Sequence, residues 1–368
     1  MKIDDYARKI TGCSAEAMTA ARERQENLVK PMGSLGRLEE ISIQMAGITG
    51  QVHNQINKKI LFLFGADNGI YEEGVASAPQ NFTNLLMRNY GAGTRCGINV
   101  ICSHNQVDLK LVDVGIKGEL DYTHILNRRL MADGTNNFLH GLAMSRETVH
   151  QALEVGLECA DYAAANQYQI IGTGEVGMGN TTTAAACIMA ALGLTGSRQA
   201  VGRGAGLTDE AYEHKRQVIE TALLRHQPDP ADAVDILAKV GGLDIAALTG
   251  LYIGAAYYRL PIVIDGVISI AAALLATRIN PLAREFMIPS HQSDEPAYKL
   301  AAQALGLKAI LNLDMRLGEG TGCPLAMAVV DNALAIINEM STFAEMAMDA
   351  EYREELSVDN TAAREGEA

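Results

Sequence analysis

The sequence predicts an α/β fold: a large domain on a parallel, Rossmann-like sheet covered by helices, with a small helical domain beside it. Three observations carry that expectation. Short apolar runs without polar alternation recur along the chain, and each ends in Gly, Asp or a Pro-Ser-His turn. Helical patterns separate them. One run, Gln169-Ile170-Ile171, leads through a glycine-rich turn into Asn180-Thr181-Thr182 and a small-residue helix over 184–192. Strands covered on both faces lose the alternation of half-exposed ones, so such runs indicate a parallel sheet. In sheets of this kind ligands sit beyond the carboxyl ends of the strands.

Taken in order, the runs at 60–64, 109–112, 169–171, 261–264, 286–288 and 309–313 are read as strands. Helices are expected over 83–102, 145–166, 209–224, 268–278, 295–305 and 325–348. Residues 1–30 and 323–350 carry helical patterns without strands and are assigned to the small domain. That leaves 31–322 as the large nucleotide-binding domain, and the charged stretch 351–368 as a polar tail.

The net charge of −14 and isoelectric point near 5.0 argue against nucleic acid or an anionic membrane as partner, since both need a basic footprint. Six cysteines lie scattered without Cys-x-x-Cys spacing and read as core residues of a reducing compartment. With no apolar run near 18 residues and no apolar leader, a cytoplasmic protein is expected.

The stretch Gly172-Thr173-Gly174-Glu175-Val176-Gly177-Met178-Gly179-Asn180-Thr181-Thr182 is an anion cradle in outline. Glycines let backbone approach a ligand, and the N–H groups and dipole of a helix start favour negative charge. No Gly-Lys-Ser/Thr follows, so it is not a Walker loop. A plain capped turn needs one Gly and one Asn or Thr; the density of such residues around Glu175 favours a phosphate or phosphoester. A second constellation, Arg316-Leu317-Gly318-Glu319-Gly320-Thr321-Gly322, sets a carboxylate between glycines at a strand end. On spacing alone Glu319 reads equally as a cleft acid or as an acid complementing a helix dipole.

These motifs join others in one order: Lys30-Pro31-Met32-Gly33-Ser34-Leu35-Gly36-Arg37-Leu38-Glu39, Ala66-Asp67-Asn68-Gly69, Glu73-Gly74-Val75, Val201-Gly202-Arg203-Gly204-Ala205-Gly206, Lys239-Val240-Gly241-Gly242, Asp265-Gly266 and Pro289-Ser290-His291. Over about residues 25–345 the set resembles the nicotinate-nucleotide–dimethylbenzimidazole phosphoribosyltransferase family, which assembles the lower-ligand nucleotide of cobalamin. The resemblance implies transfer of 5-phosphoribose from nicotinate mononucleotide to an aromatic acceptor, with no cofactor and no metal. It puts Glu319 at the general-base position and makes Glu175 the second active-site glutamate. It places phosphate and nucleotide against Gly177, Gly179, Asn180, Thr181 and Thr182, with Lys215 as the cation. Gly202, Gly204, Asp265, Ser290 and His291 would adjoin the nucleotide. Read without the resemblance, Lys215 is a solvated helix residue and His291 equally a structural one.

The acceptor pocket is where the chain departs from the family. Ala78 and Leu86 stand where well-known members carry Ser and Gln, and Val267 replaces a Phe; Leu317 completes the expected wall. The pocket is therefore expected to be apolar and without a stacking ring. A benzimidazole acceptor leads, and transfer to phenol or cresol oxygen by one subunit of a two-subunit enzyme stays open. A non-catalytic nucleotide-binding paralogue is the reading from another class; such a protein has no need of Glu319. The resemblance also implies a dimer, either of identical chains or with a paralogue. The stripe Leu325, Met327, Val329, Val330, Leu334, Ile336 and Ile337 fits a dimer face or a buried core helix.

Overall fold

The computed structural model describes residues 2–204 and 206–348. They fall into two compact units: the segment ending at Thr11 with Asn57–Ala326, and Gly12–Ile56 with the chain from Met327 onward.

Among the described residues of the first unit, six parallel strands form one sheet in the order β3-β2-β1-β4-β5-β6. They are β1 Lys59–Ala66, β2 Val107–Gly115, β3 Ile125–Asn127, β4 Ile170–Val176, β5 Ile262–Ile264 and β6 Met287–Pro289. Beyond Lys59, every residue of β1 is buried, and β4 is buried throughout. Helices on both faces account for their unbroken apolar character. The register matches Phe64 with Glu175, Gly65 with Asp113, and Ile264 with Pro289. Asp67-Asn68, Glu175, Asp265 and Ser290-His291 thus emerge along the same carboxyl edge.

One packing pair sets the back of the sheet. The helix Leu243–Tyr257 is buried along almost its whole length and lies on the helix Arg146–Ala165. A Cβ added to Gly156 would overlap the Ala247 carbonyl, and one added to Gly250 would overlap that of Leu153. These two glycines let the helices meet backbone to backbone.

In the second unit, Ser14 caps the helix Ala15–Asn27 by accepting from the Ala17 N–H. The helix Arg37–Thr49 packs on it, and Ala17, Ala21, Ala46 and Ile337 share a core. The Lys30-to-Glu39 motif closes on itself: Lys30 Nζ reaches Glu39 Oε1 at 2.8 Å, and Glu39 also takes the Leu35 N–H.

Several sequence expectations change here. The helix expected over 83–102 is two, Phe82–Gly91 and Gly97–His104, broken where Gly93 turns left-handed (φ +70°). Residues 309–313 form no strand, only a bridge between Leu311 and His291. The last helix is Gly322–Glu339, shorter than 325–348. The helices Arg37–Thr49, Ala233–Val240 and Leu243–Tyr257 and the strand β3 were not anticipated. The boundary at 30/31 also moves. Tyr6 bonds Asp161 at 2.8 Å and sits 4.6 Å, ring to ring, from Tyr257, tying the first segment to the large unit. The helix Arg37–Thr49 goes instead with the small one. Of the apolar stripe, Met327, Val330, Leu334 and Ile337 are buried, whereas Leu325, Val329 and Ile336 are half-exposed. The expected tail 351–368 lies outside the described residues.

Candidate active site

A cleft of about 320 Å³ opens at the carboxyl edge of the sheet. Its floor is the turn after β4. A Cβ on Gly177 would overlap the Ala66 carbonyl, and Gly179 adopts φ +89° to start the helix Asn180–Leu192. Both glycines are required by the close passage of this turn over β1. Three N–H groups of the cradle are already engaged: Met178 with Thr83 Oγ1 at 3.1 Å, Asn180 with the Gly177 carbonyl at 3.3 Å and Thr182 with that of Gly179 at 3.0 Å. Thr182 is buried with an unpaired hydroxyl and does not line the cavity; Thr181 lines it.

Lys215 is not a solvated helix residue. It is wholly buried, and its Nζ donates to Thr181 Oγ1 at 2.9 Å. Burial pulls its pKa down to about 8, against the opposing attraction of Glu295. Gly204 lies over this pair, since a Cβ there would come within 3.1 Å of Thr181 Oγ1. The Gly204 N–H donates to Glu295 Oε1 at 2.8 Å, and the same carboxylate occupies the space beside Gly202. Gly202 supports the wall without lining it, and Arg203 faces the cavity between the two glycines.

Two carboxylates meet at the middle of the cleft. Glu175 is buried, and its pKa is pushed up to about 8 by desolvation and by the charges of Asp244 and Asp265. Asn180 Nδ2 donates to it and stands 3.3 Å from Asp244 Oδ2. Glu319 is half-buried on a turn in which Gly318, Glu319 and Gly320 all have left-handed φ, +81°, +60° and +84°. Desolvation raises its pKa, and the Tyr90 side chain pulls it back, although the buried Tyr90 hydroxyl falls short of hydrogen-bond geometry. A Cβ on Gly318 would come 2.8 Å from Glu175 Oε1, so the turn rests directly on the second glutamate.

His291 lines the cavity, bonded through Nδ1 to Ser290 Oγ at 3.0 Å, and burial lowers its pKa. Ser290 and Asp265 are buried behind it. Asp265 does not face the cavity as a nucleotide ligand would: it spends both oxygens on backbone N–H groups of Gly320 and Gly322.

The apolar side chains Ala78, Leu86, Val267 and Leu317 all line the cavity, and so does Phe82. Phe82 is 40% exposed, so the expected absence of a stacking ring is corrected: the ring comes from the start of the helix Phe82–Gly91. Sequence reasoning also missed Arg203, Arg316, Glu295 and Tyr90. Arg203, set between glycines, was the one with a readable signal. Among the described residues no group of three or more His, Cys, Asp or Glu side chains is arranged to hold a metal ion, and no helix is long and apolar enough to cross a membrane.

Comparison with known proteins places this geometry in context. A family model described as "Phosphoribosyltransferase" matches residues 10–348. The nicotinate-nucleotide–dimethylbenzimidazole phosphoribosyltransferase of Clostridium perfringens is 44% identical over 354 residues, covering 96% of this chain and 97% of the relative. The enzyme of that name from Geobacter sulfurreducens is 44% identical over 337 residues, or 92% of this chain and 95% of its own length. The crystal structure of CobT from Thermus thermophilus superimposes with a TM-score of 0.87 at 36% identity, covering 91% of this chain and 99% of that one. The chain therefore belongs to the nicotinate-nucleotide–dimethylbenzimidazole phosphoribosyltransferase family.

Proposed function

We propose that this protein transfers 5-phosphoribose from nicotinate mononucleotide to a ring nitrogen of a benzimidazole-type base, releasing nicotinate, in the assembly of a cobamide lower ligand. The observation that carries the reading is one cleft whose lining joins Thr181 and Arg203, the apolar Ala78, Phe82, Leu86, Val267 and Leu317, and the two carboxylates Glu175 and Glu319. The relatives' names add the substrate class.

The bond from C1′ to the pyridinium nitrogen breaks, and its electron pair leaves with the ring, which becomes the uncharged pyridine of nicotinate. No acid is needed for that departure. The acceptor's imine-type ring nitrogen gives its lone pair to C1′, and Glu319 takes the proton from the other ring nitrogen. Burial favours the uptake of that proton by raising the carboxylate's basicity. Glu175, with a pKa near 8, enters the reaction protonated and offers a hydrogen-bond donor to the ribose or the acceptor. Thr181 and Arg203 take the 5′-phosphate, with the buried Lys215 charge held behind Thr181, and the Gly177 to Asn180 turn supports it. Ala78, Phe82, Leu86, Val267 and Leu317 close on the flat acceptor. Activity is assigned to a cytoplasmic dimer, for which the half-exposed Leu325, Val329 and Ile336 supply part of the contact; sedimentation of the purified chain tests the assembly.

Incubation with nicotinate mononucleotide and a panel of benzimidazoles, adenine, phenol and cresol, read by mass spectrometry, tests the transfer. The expected product is the N-ribosylated benzimidazole phosphate with one nicotinate released. Preference for phenol would move the chain to the oxygen-transferring branch, and no product with any acceptor would remove the catalytic assignment.

A further inference from the structure

The Gly318–Gly320 turn is an improbable conformation. Three consecutive left-handed residues, one of them a Glu, persist only where the surroundings over-determine them. On one side the turn is wedged against the sheet: a Cβ on Gly320 would lie 3.0 Å from Gly174 Cα and 2.9 Å from Leu61 Cδ1. Within it, Thr321 bonds back to the Gly318 carbonyl through its N–H at 3.0 Å and its hydroxyl at 2.8 Å. The turn is also held by a single carboxylate that does not line the cavity. Asp265 Oδ2 accepts the Gly320 N–H at 3.0 Å, and Oδ1 accepts the Gly322 N–H at 2.8 Å.

Asp265 is itself fixed. It follows β5 directly, and its own N–H donates to Ser269 Oγ at 3.1 Å. Ser269 Oγ lies 2.6 Å from Thr173 Oγ1 of β4 and 2.7 Å from Tyr252 Oη. The chain of bonds runs from the sheet, through Ser269 and Asp265, to two amides just after Glu319. Asp265 is 1% exposed, both its oxygens accept backbone N–H groups, and it does not line the cavity.

We propose that Asp265 is the positioning residue of the base: its carboxylate pins the N–H groups of Gly320 and Gly322 and so holds the left-handed turn that presents Glu319 to the cleft. This rests on the reading of Glu319 as the base. It predicts that the amide isostere fails, because Asn offers one oxygen to the first N–H and turns a donor on the second. A misdirected base loses rate and leaves nucleotide affinity intact, and displacements near 1 Å cost about 100-fold.

Asp265→Asn and Glu319→Gln are assayed singly and together, with nucleotide binding measured by calorimetry and the fold by thermal unfolding. The expected result for D265N is a kcat lowered about 100-fold, with KM and Kd for nicotinate mononucleotide within about threefold of wild type. The double variant should be no slower than E319Q, within about threefold, because two residues acting as one unit do not add. A D265N chain with unchanged kcat and raised nucleotide KM would make Asp265 a substrate ligand and overturn the inference. So would a double variant that multiplies the two losses. A fast E319Q would instead remove the base assignment, which separates the two failures. Should D265N not fold, hydrogen exchange of the wild-type chain decides: the Gly320 and Gly322 amides are protected if Asp265 holds them, and exchange at the open rate would refute it.

Discussion

Two parts of the cleft wall are built on opposite principles. The cradle proposed for phosphate is regular secondary structure: a fully buried strand, a turn of two glycines and a long helix, closed by the buried pair of Lys215 and Thr181. The turn that carries Glu319, the proposed base, is strained, with no repeating backbone bonds of its own, and is held by one acid and by wedging against Gly174. A group that only has to be grasped can sit on rigid elements. A group that must face a reacting atom takes a conformation that regular structure does not offer, and support from outside the turn makes that conformation hold.

The contrast is tested most severely by removing the base. Glu319→Gln is expected to lower kcat by roughly 100- to 10,000-fold while nicotinate mononucleotide binding survives; retention of more than about a tenth of the rate would end the assignment. Next come paired glycine changes. Gly320→Ala, at φ +84°, strains the turn by about 1–3 kcal/mol and should lower kcat strongly while the melting temperature falls by only a few degrees. Gly177→Ala should do the reverse, because the Ala66 carbonyl behind it cannot yield. If both act on stability alone, the two parts are not built differently.

Lys215→Ala should raise the nucleotide KM by about 10- to 100-fold, the worth of roughly 1.5–3 kcal/mol for a charge-assisted hydrogen bond, and leave kcat nearly unchanged. The sign of the pH effect follows from the pKa near 8. Below it Lys215 is charged, as the proposed phosphate site requires, and above it the charge is lost. Thus kcat/KM for the nucleotide should fall as pH rises through 8, and K215A should flatten that limb. The part due to Glu175, which titrates in the same range, would remain and be removed in Glu175→Gln. Smallest is the acceptor end: Phe82→Ala should raise the acceptor KM about 3- to 10-fold, matching roughly 0.5–1.5 kcal/mol of aromatic contact, with the nucleotide KM untouched. Equal effects on both substrates would place the ring elsewhere.

What the sequence disclosed follows from locality. Strand ends marked by Asp-Gly or Pro-Ser-His, the cradle and the glycines around Glu319 are contiguous patterns, and they led to the cavity. The helix Leu243–Tyr257 was missed because a helix buried on all sides has no polar stripe and therefore no period to detect. Phe82 was missed because one aromatic at a helix start carries no sign of which way it points. Asp265 was noticed, yet assigned to the nucleotide. Its two amide partners lie more than fifty positions away, and only folding brings them to it. Lys215 gave the reverse lesson, a helix lysine that reads as solvated and is wholly enclosed.

The strand order has a consequence for how the chain is made. β1 lies between β2 and β4, and Lys59 meets its β4 partner Ile170 only 111 positions later. At synthesis rates of about 5–20 residues per second, one edge of β1 waits roughly 6–20 seconds for its neighbour. Through that interval Leu61-Phe62-Leu63-Phe64 presents an apolar, unpaired ribbon, the kind of edge on which nascent chains stick to one another. Yield of this protein in a foreign host should accordingly depend on translation speed and on chaperones that shield extended apolar segments, more than on the stability of the finished fold.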